Sequence, residues 1–246
     1  AGGSTGVPSQ DPSVVDRLDY ANDTATASPR GPLSGARMSD DAATANGSYG
    51  YFAPGGPGLP NKRSIDRVDF SNDTATASPR GNIINDADGR MGICPLENGL
   101  PSPVTKTVDK GADGYTVAGS LGPAYGYVMA GFPPTQNNSS VDRIDFSNDT
   151  ATASNRAAVL IDKRNFSNSE VTSITHGYLV GGQLASGSPS VTSSVEKIDY
   201  ANDTASAAAV GKLAFQTRST AGASNPAYGW SAGGDQDSPS IVSTVQ

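Results

Sequence analysis

Histidine and cysteine are almost missing from this chain, with His176 and Cys94 as their single copies. One cysteine allows no internal disulfide, and one of each allows no multi-histidine or multi-cysteine metal site. No apolar run approaches the ~20 residues a membrane-crossing helix needs, so no membrane insertion is expected. Positive charge is also short: 17 basic residues face 24 acidic ones, for a net charge of −7. With a pI near 4.6, phosphate backbones and anionic membranes are poor partners, and no nucleic acid is expected. Aromatics make up only 7% of the 246 residues, and no stretch has a convincing amphipathic helical period.

Glycine and proline are abundant, at 29 and 17 residues. That density, with much serine and threonine, predicts an all-β chain of short strands and many turns. The organising feature is a repeat. Residues 65–78 (IDRVDFSNDTATAS) recur as 15–28 (VDRLDYANDTATAS), 141–154 (VDRIDFSNDTATAS) and, worn, 195–208 (VEKIDYANDTASAA). Self-similarity of this kind marks a repeat architecture and comes before any other assignment.

Each copy reads as a hairpin. Alternation puts Asp66, Val68 and Phe70 on one face and Ile65, Arg67 and Asp69 on the other. Ser71-Asn72-Asp73 has turn chemistry, because short polar side chains bond nearby amides and asparagine tolerates a left-handed backbone. A second strand is expected over Thr74, Ala75, Thr76 and Ala77, with a face small enough for close packing, ended by Pro79-Arg80-Gly81. Arg67 and Asp69, two apart on one face, could pair with each other or across strands, and a partly solvated pair of small worth is expected rather than a sugar- or carboxylate-binding arginine.

A second mark precedes each hairpin, a Tyr-Gly-aromatic strand that ends in small residues. It stands at 49–56, 125–131, 176–182 (with His176 in the tyrosine's place) and 228–234, and Ala1-Gly2-Gly3 is the tail of another copy. The glycine pair suits positive φ or a close approach. A third, variable strand, such as 36–45, is expected to begin near an arginine (Arg37, Arg156, Arg218). Each unit therefore supplies four short strands. The chain opens inside a unit, as a cleaved product or a window of something longer would.

The hairpin aspartate gives the count. Asp19 and Asp69 lie 50 residues apart, Asp145 and Asp199 lie 54 apart, and Asp69 and Asp145 lie 76 apart. The long interval predicts a degenerate unit. Residues 91–95 would be its Gly-paired strand and residues 104–120 its hairpin, with Asp109 in the aspartate's place. One unit with an inserted loop is the alternative.

A period of about 50 residues, four strands per unit, a Gly pair and an Asp-aromatic strand end resemble the kelch type of β-propeller. The kelch tryptophan after the turn is absent. The string NDTATASPRGPLS with the YGYF strand is similar to repeats in virion and tail-fibre-like proteins of marine cyanobacterial phages. The resemblance implies one repeat domain over 1–246. It also implies a kelch-like propeller, with five four-stranded blades expected and four with an insertion or a segment of a longer array as alternatives. Closure of the ring by mixed termini would remove free strand edges.

Candidate chemistry is sparse. His176 sits at a packed strand position, where a structural role is expected. Residues 71–75 faintly resemble the aspartate box of sialidase-like propellers, without its glycine and aromatic. Residues 85–89 (NDADG), with Glu97 twelfth from Asp86, are a weak calcium-loop pattern whose Arg90, Gly92 and Cys94 fill ligand positions poorly. Asn-X-Ser/Thr sequons at Asn22, Asn46, Asn72, Asn137, Asn138, Asn148 and Asn202 read as turns. No nucleophile-elbow motif is present. No catalytic, metal or cofactor residue is therefore assigned, and the ligand-binding residues stay unknown.

The expectation is a non-enzymatic structural or adhesive protein, a virion or tail-fibre component, virion-bound or extracellular. Its partners would be other virion proteins or a host surface glycan or protein, and a homo-oligomer is compatible. Contact would come from the variable loops 4–13, 57–64, 133–140 and 183–194. The alternatives are a carbohydrate-active enzyme, using Asp40, Asp41, Asp86, Asp88, Glu97 or Glu170, and a cellular kelch-type adaptor.

Overall fold

The computed structural model describes residues 13–22, 24–36, 43–53, 63–84, 92–95, 107–108, 115–116, 125–129, 139–160, 163–164, 169–184, 190–218, 220–225, 227–236 and 245. The fold is all-β. Its strands are β1 (Asp16–Arg17), β2 (Ser28–Pro29), β3 (Ala43–Ala45), β4 (Tyr49–Phe52), β5 (Ser64–Asp69), β6 (Ser78–Asn82) and β7 (Gly92–Pro95). There follow β8 (Thr107–Val108), β9 (Tyr115–Thr116), β10 (Tyr125–Met129), β11 (Ser140–Asp145), β12 (Ser154–Ala158), β13 (Lys163–Arg164) and β14 (Ser169–Thr172). The last are β15 (His176–Val180), β16 (Gln183–Leu184), β17 (Ser194–Asp199), β18 (Ala208–Lys212), β19 (Ala221–Ser224) and β20 (Gly229–Ala232).

They form antiparallel sheets in chain order. Sheet I is β1–β2, sheet II is β3-β4-β5-β6, sheet III is β7-β10-β11-β12, sheet IV is β14-β15-β17-β18 and sheet V is β19–β20. Two further pairs, β8–β9 and β13–β16, stand apart. Among the described residues no helix is long and apolar enough to cross a membrane.

The hairpin repeat folds differently from its expected strand plan. Phe70–Asn72 is a single 3-10 turn, capped by Asp69, which accepts from the Ser71 amide. Thr74 to Ala77 do not form the second strand, which runs over Ser78–Asn82. Pro79 and Gly81 thus lie inside the strand they were expected to end. The sheet tolerates Pro79 because β6 is an edge strand, paired only with β5 and with its register shifted between Ser64 and Asp66. Residues 74–77 instead cross to the preceding sheet, where the Ala77 amide bonds the Pro32 carbonyl at 2.8 Å. Ala153 repeats this on Asn82 at 2.7 Å and Ala207 on Ala158 at 2.9 Å.

The long interval is also organised differently. Gly92–Pro95 is no Gly-paired strand of a separate unit; it pairs with β10 and is the outer strand of sheet III. Of residues 104–120, the described part is the two-rung ladder of β8 and β9. Arg156 lies in the fourth strand β12, so it does not begin a variable strand. The remaining expectation for 36–45 is met by β3, although Arg37 lies outside the described residues.

The core lies between sheets. Tyr51, Ala53, Ile65 and Ile83 of sheet II pack on Val128, Ile144 and Ala153 of sheet III. Tyr127, Met129, Val141 and Val159 of sheet III take Leu179, Ile198 and Ala207 of sheet IV in the same way. At the first junction, Val15 and Leu33 meet Val68 and Ala77. Two-sided burial explains the alternation of the third strand. Ile65 serves the following junction and Val68 the preceding one, so neither face reaches solvent as a simple polar face.

Close backbone approach needs glycine at one place. A Cβ on Gly81 would lie 1.8 Å from the Ala151 carbonyl oxygen, and one on Gly31 1.9 Å from that of Ala75. The Gly81 amide bonds the Asp149 carbonyl at 2.6 Å across the same gap. Gly81→Val should therefore push sheets II and III apart and destabilise the fold by about 1–3 kcal/mol. Chemical denaturation measures this, and a loss below about 0.5 kcal/mol would contradict the packing.

Candidate functional site

The three acidic residues of each hairpin do three different jobs. The first reaches back to the preceding sheet. Asp66, fully buried, accepts from the Ser34 amide at 2.9 Å and the Ser34 hydroxyl at 2.6 Å. Asp142 accepts from the Ile84 amide at 3.1 Å, and Glu196 from the Leu160 amide at 2.7 Å. The second caps its own turn: the Ser71 amide and hydroxyl donate to Asp69 at 2.9 and 2.6 Å. Those hydrogen bonds, the hydroxyl's first, hold the Asp69 carboxyl below its usual range, and Ser147 does the same for Asp145.

The third aspartate is the clamp. Asp149 of sheet III enters sheet II, where Arg67 donates to it at 2.7 Å and the Tyr51 hydroxyl at 3.2 Å. Arg80 lies 3.6 Å away. Asp203 repeats the arrangement on sheet III, with Arg143 at 2.8 Å, Tyr127 at 3.0 Å and Arg156 at 3.9 Å. Asp73 takes Arg17 at 2.7 Å and Arg30 at 3.1 Å from sheet I. Above each complete clamp an aromatic of the following unit stacks on the tyrosine, Phe146 on Tyr51 at 4.6 Å and Tyr200 on Tyr127 at 5.1 Å. Arg67 and Arg143 also lie over the rings of Tyr49 and Tyr125, at 4.1 and 4.0 Å.

Arg67 is therefore not the partner of Asp69 in a solvated pair within one strand. Its partner is Asp149, 82 residues away. The sequence signal was the alternation itself, because Arg67 shares a face with Ile65, which points to the following unit. What the sequence did not reveal is that the turn aspartate crosses the gap.

His176 begins β15 opposite Asp199, and its Nδ1 lies 2.8 Å from the Thr175 hydroxyl. That placement fits a structural role. Glu170 lies in β14 opposite Leu179. Asp40, Asp41, Asp86, Asp88 and Glu97, with the calcium-like pattern of 85–89, lie outside the described residues. Among the described residues no group of three or more His, Cys, Asp or Glu could hold a metal ion. Asn22, Asn72, Asn148 and Asn202 occupy turn positions, where Asn72 Oδ1 accepts from the Thr74 hydroxyl at 3.4 Å.

A cavity of about 250 Å³ opens between sheets IV and V, lined by Tyr178, Val180, Val195, Leu213, Tyr228 and Trp230 among others. Gly181 and Gly182 close β15 with φ of 69° and 111°, and Gly233 and Gly234 close β20 with 70° and 100°. These two pairs, the ones within the described residues, thus have positive φ, as one of the two expected uses of the glycines requires.

No family model matches the chain, and no curated protein does. Its fold is similar to that of YjhT, with a TM-score of 0.63 and 11% identity over 96% of this chain and 72% of that one. The likeness corrects one expectation. A fold shared with YjhT gives no ground for reading this chain as non-enzymatic.

Two predictions follow from the clamp. Asp149→Asn leaves two arginines facing a neutral amide and should cost about 2–3 kcal/mol in a denaturation experiment. Asp142→Asn should cost no more than about 1 kcal/mol at neutral pH, because burial already raises the Asp142 carboxyl's pKa and penalises its charge. Equal losses in the two variants would contradict the division of roles.

Burial first, then Asp149 or Asp203, raises the Tyr51 and Tyr127 phenols above the ordinary 10.0. A phenol that keeps its proton in the folded state stabilises the fold below pH 10.0 and loses that contribution as pH rises further. The Tyr51→Phe, Tyr127→Phe double variant should flatten the fall in stability above pH 10.0; an unchanged slope would contradict the assignment.

Proposed function

We propose that the chain is a kelch-like β-propeller scaffold that recognises a surface glycan, as an adhesive component of a virion or other extracellular assembly. In this reading the sheets are blades, three of them complete, with sheets I and V as complementary halves. One observation carries it. The charged and aromatic residues of the repeat are spent on holding sheets together, as the Asp149 and Asp203 clamps are. Recognition then falls to what differs between units, the loops after the glycine pairs. These are rich in Asn, Ser, Gln and Pro, and loops set on a rigid scaffold are where binding residues concentrate.

A second reading is a carbohydrate-active enzyme on the same scaffold, which the likeness in fold to YjhT leaves open. Unit-specific acids such as Asp86 and Glu170 are its candidates, because the acids of the repeat already hold structural partners. One experiment tests both. The purified chain is screened on an array of sialylated, bacterial and algal glycans, and released sugar is assayed in parallel. Retention on a glycan class without release supports the first reading, and release of sugar supports the second. The absence of both retention and release would overturn the proposal.

A further inference from the structure

We propose that each described clamp is also an oxyanion site, where the fourth-strand arginine (Arg30, Arg80 or Arg156) holds a sulfate or carboxylate group. The argument starts from a surplus of positive charge. Asp73, Asp149 and Asp203 each bring one carboxylate to a junction, and the preceding sheet meets it with two guanidiniums. One is enough to pair it. The third-strand arginine does so: Arg17, Arg67 and Arg143 donate at 2.7, 2.7 and 2.8 Å. Arg67 and Arg143 are also held from one side by a tyrosine ring, at 4.1 and 4.0 Å.

The fourth-strand arginine is held differently. Arg80 Nε stands 3.6 Å from Asp149 and Arg156 Nε 3.9 Å from Asp203, beyond hydrogen-bond length. Arg30 Nε comes within 3.1 Å of Asp73 but lacks the alignment of a hydrogen bond. All three Nε atoms are buried without a hydrogen-bond partner, as is Arg143 Nε, although Arg143 Nη1 donates to Asp203. A buried donor without an acceptor is costly, and pairing one carboxylate does not require it. The strand does not require it either. In register, the position follows the residue opposite the first acid: Pro79 opposite Asp66, Asn155 opposite Asp142 and Ala209 opposite Glu196. Sheet IV has Val210 there.

The position suits an anionic group. Arg30 and Arg80 precede the glycines whose amides bond the Asp73 and Asp149 carbonyls at 2.8 and 2.6 Å, which fixes the backbone beside them. The three side chains stay 20%, 22% and 27% exposed, so each reaches the rim of its junction. A guanidinium edge presents parallel N–H groups that match two oxygens of a sulfate or carboxylate. The chain's net charge of −7 disfavours an extended polyanion. One anionic group per junction is what the surplus charge accommodates. The site goes beyond the glycan reading and does not rest on it, because a free anion and an acidic sugar carry the same group.

Amide signals of Gly31, Gly81 and Ala157, each next to one of these arginines, report the sites separately in a proton–nitrogen correlation spectrum. The full chain is titrated with sodium sulfate, with sodium chloride holding the ionic strength constant. The three amides should shift along saturating curves, and the Gly211 amide, beside Val210, should not. Arg80→Gln should weaken the Gly81 response by about tenfold. The Gly31 and Ala157 responses should stay as they are, which also shows that the variant is folded. Arg156→Gln should act in the same way at Ala157 alone. Shifts that do not saturate, equal shifts at Gly211, or a Gly81 response unchanged by Arg80→Gln would overturn the inference. A second titration compares a sulfated disaccharide with its neutral parent. Tighter binding of the sulfated sugar than of sulfate names a sugar as the carrier, and equal or weaker binding names the free anion. Shifts of the same amides by the neutral parent would overturn the oxyanion assignment.

Discussion

A carboxylate carried by one repeat and buried in the next holds this molecule together. Asp149 and Asp203 each sit among two guanidiniums and a phenol hydroxyl of the preceding sheet, under a stacked ring. A charge removed from water is costly unless charged and hydrogen-bonding partners surround it. The clamp meets that condition only when neighbouring sheets are in register. It therefore contributes specificity as well as stability, selecting one arrangement of units from the many that apolar packing would allow. The core itself is thin, built from single tyrosines, isoleucines and alanines at each junction.

Other features follow from this geometry. For the turn to reach the preceding sheet, residues 74–77 cannot also be a strand of their own sheet, and the fourth strand starts at Ser78. At two junctions the turn presses against backbone, and a Cβ on Gly31 or Gly81 would lie 1.9 or 1.8 Å from an alanine carbonyl oxygen. At the last complete unit the motif changes in concert. His176 replaces the tyrosine under the arginine, and Lys197 replaces the arginine. A lysine cannot give the planar, stacked contact that Arg67 and Arg143 make with their rings.

Much of this was legible in the sequence. The repeat and the four-strand unit are in the all-β sheets observed, the two described glycine pairs have positive φ, and the alternation of residues 65–70 correctly separates two faces. The small face of Ala75 and Ala77 signals close packing, and Ala77 is buried at the sheet I–II junction. The misreadings share one physical cause. Local patterning reports only contacts within a hairpin, so it offers Asp69 as the near partner of Arg67 and a strand over residues 74–77. The decisive contacts run between units, as far apart as Tyr51 and Asp149. The interval between Asp69 and Asp145 misled for a similar reason, since Gly92–Pro95 pairs with a strand more than 30 residues later. Composition could not place the unit-specific acids, and their chemistry is a question for glycan screening.

The central claim is that Arg67 and Asp149 couple adjacent sheets across the gap. A double-mutant cycle with Arg67→Ala, Asp149→Ala and the double variant measures that coupling directly by chemical denaturation. The account predicts an interaction free energy of about 1.5–3 kcal/mol, as for a shielded charge pair. A value below about 0.5 kcal/mol, the range of exposed pairs, would contradict it and leave apolar packing alone to hold the sheets together.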